Sequence, residues 1–344
     1  MIITRLLMPA LILGACIAPR AHAQTPPKPD AQMKAVLDQL GALHGKPIPK
    51  LSAREARMQP TPADAVKALL KKDGKSTDPE PVGAVQNTTV PGPAGPIPVR
   101  IYTPSGDGPF PVIFYIHGGG WVIATMDTYD STPRAMVNLA NAVVVSVEYR
   151  KAPEHKFPAA HEDCYAALQY VMKHAAAMKG DPKHVAVMGE SAGGNMATAI
   201  CMMARDRKGM MPVYEVLVYP VTNSNLNTRS YMINANAKPL NKPMMAWFFR
   251  NTVKRASDAN NAYLSVLKAR VNGLPPATVV TAEIDPLMSE GKAYADKLQH
   301  AGIAVRYRNY TGVTHEFFGM GAVVDKAKQA EQFAADGLKT AFAK

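Results

Sequence analysis

The sequence predicts an α/β fold built on a mostly parallel sheet of eight strands, flanked by helices. One observation is an alternation along the chain: short strand-like runs, several of them continuously apolar, are separated by segments with helical spacing. That pattern belongs to a parallel sheet covered on both faces. The other is the stretch Val185-Ala186-Val187-Met188-Gly189-Glu190-Ser191-Ala192-Gly193-Gly194, an apolar run that breaks at a glycine and passes into a helix-forming segment at 195–205. Such a strand-to-helix turn places the residue at its tip, Ser191, at the rim of the sheet.

At 344 residues, 47% hydrophobic and 19% charged, the chain is ordinary in composition and long enough for one large domain with a smaller appendage. The formal net charge is +12, spread along the chain. No basic run is interleaved with aromatics and no zinc-finger or helix-turn-helix spacing occurs, so nucleic acid is not an expected partner.

Residues 1–23 read as a signal peptide. Arg5 gives a positive start, 6–18 is apolar, and Ala21-His22-Ala23 is an A-x-A cleavage motif. The apolar part is too short to span a bilayer comfortably, so no transmembrane span is expected. Leu13-Gly14-Ala15-Cys16 offers a rival, a lipobox with Cys16 as the lipid anchor. Either way export is expected, to the periplasm or the medium. Cys164 and Cys201 then remain, and both are expected as buried free thiols. No metal-ligand spacing is present, and neither metal nor cofactor is expected.

The elements follow in order. Residues 24–80 are expected to form an N-terminal helical cap segment, with amphipathic helices at 30–43 and 61–72 serving either as a lid or as a packing arm. Residues 81–344 make the main domain. Its strands are expected at 84–90, 98–103, 111–116, 143–148, 185–188, 213–219, 277–282 and 303–310, the first two as an edge hairpin. Helices are expected at 159–174, 195–205, 290–301 and 324–342. Between Tyr219 and Ala277 the alternation stops, and residues 221–262 are expected to add an inserted cap segment. Its apolar run Met244-Met245-Ala246-Trp247-Phe248-Phe249 suits either core packing or a pocket wall.

Chemistry concentrates in two stretches. In Gly189-Glu190-Ser191-Ala192-Gly193 the glycines leave room for a tight turn, and the N–H of Ala192 sits at a helix start, where it can donate to a developing oxyanion. In His117-Gly118-Gly119-Gly120-Trp121 three consecutive glycines carry an entropic cost that suggests main-chain N–H groups presented to a ligand. No Lys-Ser/Thr follows, which argues against a phosphate loop.

Together with Glu148-Tyr149-Arg150-Lys151-Ala152-Pro153-Glu154-His155, these motifs resemble the hormone-sensitive-lipase-like family of α/β-hydrolases across most of residues 30–320. The resemblance implies the α/β-hydrolase fold and a Ser-His-Asp triad. It makes Ser191 the nucleophile, Asp285 in Asp285-Pro286-Leu287 the acid, and His315 in Thr314-His315-Glu316-Phe317 the base. It also makes Gly119, Gly120 and Ala192 the oxyanion donors. Trp121, Trp247 and Phe248 are expected to line the substrate pocket.

Glu283 is the competing acid, two residues before Asp285. One departure is Glu190, where many relatives carry Asp; the longer carboxylate is expected to reach supporting partners. The activity implied is hydrolysis of small, short- to medium-acyl carboxylic esters. The alternatives are a catalytically silent ligand binder, or a deacetylase, lactonase or formamidase using the same triad.

Overall fold

The computed structural model describes residues 26–344; the signal-peptide and lipobox readings, including Cys16, lie outside the described residues. The strands are β1 (Ala84–Val90), β2 (Ile97–Thr103), β3 (Phe110–Ile116), β4 (Val143–Val147), β5 (Gly180–Glu190), β6 (Glu215–Val218), β7 (Ala277–Ile284) and β8 (Val305–Thr314). They form one sheet in the order β1-β2-β4-β3-β5-β6-β7-β8. β2 is antiparallel to both of its neighbours, and all other pairings are parallel.

The apolar runs explain the middle of the sheet. In β3 the period-2 alternation sends Val112, Phe114 and Ile116 to one core and Ile113 and Tyr115 to the other, all fully buried. β1, with Gln86-Asn87-Thr88-Thr89 in its middle, is solvent-exposed over its first six residues and closes the sheet with a polar edge.

Helices α1 (Ala31–Ala42), α2 (Ala53–Ala56) and α3 (Pro62–Lys72) precede the sheet. α4 (Ser131–Ala140), α5 (Ala159–His174), α6 (Ala192–Asp206), α9 (Met288–His300) and α10 (Asp325–Phe342) flank it. α7 (Arg229–Ile233) and α8 (Lys242–Thr252) lie between β6 and β7. Sequence periodicity does not predict α4. Of its buried residues, Thr132 is polar and Pro133 is a helix breaker in sequence terms, which leaves Ala135, Met136, Val137 and Ala140, fewer than two turns, as an apolar repeat too short to stand out. Cys164 and Cys201 are buried free thiols.

Three parallel strands end on the residues the motifs single out. Ser191 follows β5, Asp285 follows β7 and His315 follows β8, so all three stand at the carboxyl rim of one sheet. β8 runs four residues beyond the expected Tyr310, and that extension carries His315 to the rim.

The N-terminal segment crosses this rim. Asp30 caps α1 through Met33 N–H at 2.9 Å, and its own N–H donates to Gly312 O at 2.8 Å. Trp247 Nε1 donates to Leu51 O at 3.0 Å. Arg57 donates through Nε to Val122 O and through Nη2 to Ala152 O, both at 2.8 Å, and forks onto Glu154 at 2.9 and 2.7 Å.

The fork to the exposed Glu154 adds little, because water screens it. The two bonds to backbone carbonyls, charge-assisted but only part-buried, are worth ~1–2 kcal/mol together. Arg57→Ala is therefore expected to speed limited proteolysis between residues 45 and 80 roughly five- to thirtyfold, each ~1.4 kcal/mol lost raising the open population about tenfold. The sheet should keep its thermal transition within a few degrees. Mass spectrometry of the fragments checks this.

β6 carries a second testable feature. Glu215 is fully buried, and burial pushes its carboxyl up to about 8, with Thr198 and Cys201 offsetting only part of the effect. An acid raised in the folded state loses protons more readily when unfolded. Stability therefore falls as pH rises from the unfolded value near 4.3 to about 8. Glu215→Gln, an uncharged isostere, is expected to match the parent at pH 4 and exceed it by roughly 2–4 kcal/mol at pH 8, in urea titrations.

Candidate active site

The turn between β5 and α6 holds Ser191 at φ 57°, ψ −117°, a strained conformation for a side-chain-bearing residue. Its N–H donates to Val218 O at 2.9 Å, and its carbonyl accepts from Asn195 N–H at 3.0 Å and Val221 N–H at 3.2 Å. Gly193 makes the turn possible: a Cβ there would sit 2.0 Å from Ile116 O. The hydroxyl is thereby aimed at the histidine.

His315 Nε2 lies 2.9 Å from Ser191 Oγ, and His315 Nδ1 lies 2.7 Å from Asp285 Oδ2. All three side chains are buried. The other Asp285 oxygen accepts from Leu287 N–H at 2.9 Å, which fixes the carboxylate's orientation. Glu283 points elsewhere and accepts from Gly312 N–H at 2.8 Å, bracing the strand that leads to His315. Geometry thus separates two acids that the sequence leaves side by side.

Burial alone pushes the His315 imidazole down, but Asp285, by charge and hydrogen bond, outweighs it with help from Glu316 and Glu190. The net displacement is upward. A ring held this way has Nδ1 protonated toward Asp285 and Nε2 free to accept a proton from Ser191.

The glycine loop follows β3. Gly119 and Gly120 have φ of +91° and +58°, and a Cβ at Gly120 would meet the Phe248 ring at 2.2 Å. Neither glycine's N–H has a backbone or side-chain acceptor among the described residues, and both glycines line the cavity beside Ser191. Ala192 N–H is in the first turn of α6, where no intrahelical acceptor exists. His117 braces the loop from behind: its ring stacks on Tyr149 with centroids 4.4 Å apart, and Nδ1 is 2.9 Å from Gly118 O.

A cavity of about 930 Å³ opens over Ser191. Its walls come from the N-terminal segment (Leu37, Leu40, Ile48, Pro49), from the loops after β3 and β4 (Ile123, Tyr149), and from the insertion (Leu240, Met244, Met245, Phe248). Phe248 lines this cavity.

The two tryptophans do not line the cavity. Trp121, at φ +61°, is buried with its ring 5.7 Å from that of Phe249. Trp247 is turned away on α8, hydrogen-bonded to Leu51 O, and packs edge-on against Phe248 at 5.3 Å. The reason is helical phase. Asn241, Met244, Met245 and Phe248 share one face at i, i+3, i+4 and i+7, and position 247 lies about 100° away from its neighbour.

The sequence reading also misses Arg57, Tyr219 and Leu240. No local pattern distinguishes them, because each acquires its place from a distant segment.

Glu190, the departure from Asp, is buried beneath Ser191. It accepts from Tyr115 OH at 2.5 Å and from Tyr219 OH. Burial pushes its carboxyl up to about 7 against those hydrogen bonds. His161, at the start of α5, is also buried; burial lowers it to about 4, and it meets Asn195 Oδ1 at 3.1 Å through Nε2. It supports the first turn of α6 and does not reach the cavity.

A family model described as the alpha/beta hydrolase fold matches residues 113–319. The chain is 41% identical to the carboxylic ester hydrolase LipN of Mycobacterium tuberculosis over 243 residues, 69% of this chain and 65% of that one. It is 31% identical to an ethyl acetate hydrolase of Pseudomonas putida over 318 residues, 90% of this chain and 98% of that one. The solved structure of a thermostable esterase from Pseudomonas putida ECU1011 superposes with a TM-score of 0.83 at 32% identity, covering 93% of this chain and 99% of that one. With its sheet order, its serine turn and these likenesses, the chain belongs to the hormone-sensitive-lipase-like family of α/β-hydrolases.

Proposed function

We propose that the protein is a serine carboxylesterase acting on small, short- to medium-acyl esters through an acyl-enzyme. The observation that carries this reading is the unbroken line Ser191 Oγ, His315 Nε2, His315 Nδ1, Asp285 Oδ2, with steps of 2.9 and 2.7 Å. It lies at the floor of a largely apolar cavity, and the relatives named above are ester hydrolases.

The parts suggest their own sequence. His315 Nε2 accepts the Ser191 proton as Oγ attacks the ester carbonyl, and Asp285 stabilises the imidazolium. The amides of Gly119, Gly120 and Ala192 receive the oxyanion, a contribution of about 3 kcal/mol per donor in comparable sites. His315 then protonates the departing alcohol. Water repeats the sequence on the acyl-enzyme.

A silent ligand binder has no need of a histidine held between serine and aspartate. The division into an N-terminal cap segment at 24–80 and a main domain with an inserted piece at 221–262 is supported by the cavity, to which both contribute walls. Export is supported by the leader sequence alone, and no helix among the described residues is long and apolar enough to cross a membrane.

Purified protein is expected to hydrolyse p-nitrophenyl acetate and butyrate, with activity falling toward palmitate across an acyl series. Ser191→Ala is expected to lose at least about a thousandfold in kcat, and a variant that still turns over would refute the reading. The base works only when unprotonated. The raised His315 therefore sets an acid limb of kcat/KM above the ordinary imidazole value of 6.5, with activity lost as pH falls through it. A pH–rate profile checks the limb's position.

A further inference from the structure

Glu316 directly follows the base and has a backbone φ of +69°, the left-handed region that glycine occupies without cost and a longer side chain does not. Strain of this kind persists where the surroundings over-determine it, and it points to a use for the side chain. The carboxylate is held in place: Tyr129 OH lies 2.7 Å from each of its oxygens, and Tyr129 itself is buried. Held there, Glu316 Oε1 is 3.7 Å from His315 Nε2. That is the nitrogen facing Ser191 Oγ, on the side opposite Asp285.

We propose that Glu316 is a positioning residue that acts through His315: fixed by Tyr129, its charge stabilises the imidazolium from the Nε2 side. The inference rests on the serine-esterase reading. As the Ser191 proton passes to Nε2 and the Oγ–carbon bond forms, the ring becomes positive, and a carboxylate on each side favours that state. When the proton leaves with the departing alcohol oxygen, the ring is neutral again. Glu316 takes no proton at any step.

Every ionisable group facing the ring enters this balance. Asp285 faces it from the end of β7, Glu190 from the turn after β5, and Glu316 from its own turn. Tyr219, from the end of β6, lays its ring 4.5 Å from the imidazole. Glu190 is pinned between two tyrosine hydroxyls and is only partly ionised near neutrality, so Glu316 is the second carboxylate with direct reach to Nε2.

The test compares pH profiles of kcat and kcat/KM on p-nitrophenyl butyrate, with thermal melts, for the parent, Glu316→Gln, Glu316→Gly and the remote surface control Glu162→Gln. Glu316→Gln keeps shape and removes charge. It is expected to move the acid limb down by roughly one pH unit and to lower the plateau kcat about tenfold, with little change in KM.

Glu316→Gly removes the backbone strain but also the acceptor of the buried Tyr129 hydroxyl, so its melting temperature is expected to stay within a few degrees of the parent while it shares the kinetic loss. Glu162→Gln, whose partner is Arg207 at the surface, is expected to match the parent in both readouts. An unmoved limb in Glu316→Gln, with or without a lower melting temperature, overturns the inference, as does a Glu316→Gly enzyme that keeps the parent's profile. Ser191→Ala separates the two levels. Turnover surviving there defeats the esterase reading itself, whereas its loss beside an unmoved Glu316→Gln limb defeats this inference alone.

Discussion

The constraint on which the rest depends is the backbone of Ser191. Its positive φ costs of order 1–3 kcal/mol, and nothing within the turn repays that cost. The surroundings do. Val218 O and the amides of Asn195 and Val221 hold the serine main chain from β6, from α6 and from the residues after β6. Gly193 then lets α6 sit against the end of β3. A strained turn held from three directions needs a central strand with partners on both sides and helices on both faces. That requirement explains why the buried strands β3, β5 and β6 stand next to one another in the sheet.

Much of this was legible in the sequence, for a physical reason. Buried parallel strands must be apolar along their whole length, so β3, β4 and the inner half of β5 announce themselves, and the glycines around Ser191 mark where a Cβ cannot fit. Asp285 and His315 were legible through the motifs around them and through their order after the serine. Spacing alone could not have chosen Asp285 over Glu283, since both end the same strand and only the paths of their side chains differ. Phase defeated the reading at Trp247. A run of six apolar residues on a helix has two sides, and which side faces the cavity is decided by Leu51, nearly two hundred residues earlier in the chain. α4 was lost because its apolar repeat is shorter than the window needed to detect it.

The cavity shows the same division between local and distant information. Its catalytic floor comes from loops that immediately follow strands, while its walls come from the N-terminal segment and from the residues between β6 and β7. These two pieces meet through the Trp247–Leu51 hydrogen bond, and Arg57 fastens the first of them to the carbonyls of Val122 and Ala152. The same triad chemistry can therefore coexist with very different pocket shapes, because the residues that shape the pocket are not those that fix the serine. Acyl preference belongs to these tertiary contacts.

The choice of partners for the two glutamates beside His315 follows from the role proposed for that ring. Glu190 and Glu316 lie close to His315, and in a chain of net charge +12 a lysine or arginine could have satisfied either. A cation there would cancel the field at the ring and oppose the imidazolium that proton transfer creates. Tyrosine hydroxyls meet the need differently: Tyr115 and Tyr219 donate to Glu190 and Tyr129 donates to Glu316, satisfying lone pairs without adding charge. The same logic accounts for glutamate at 190. Its carboxylate reaches hydroxyls on both β3 and the end of β6, so the support under Ser191 is tied across two neighbouring strands, and the ring above it keeps an environment that favours positive charge.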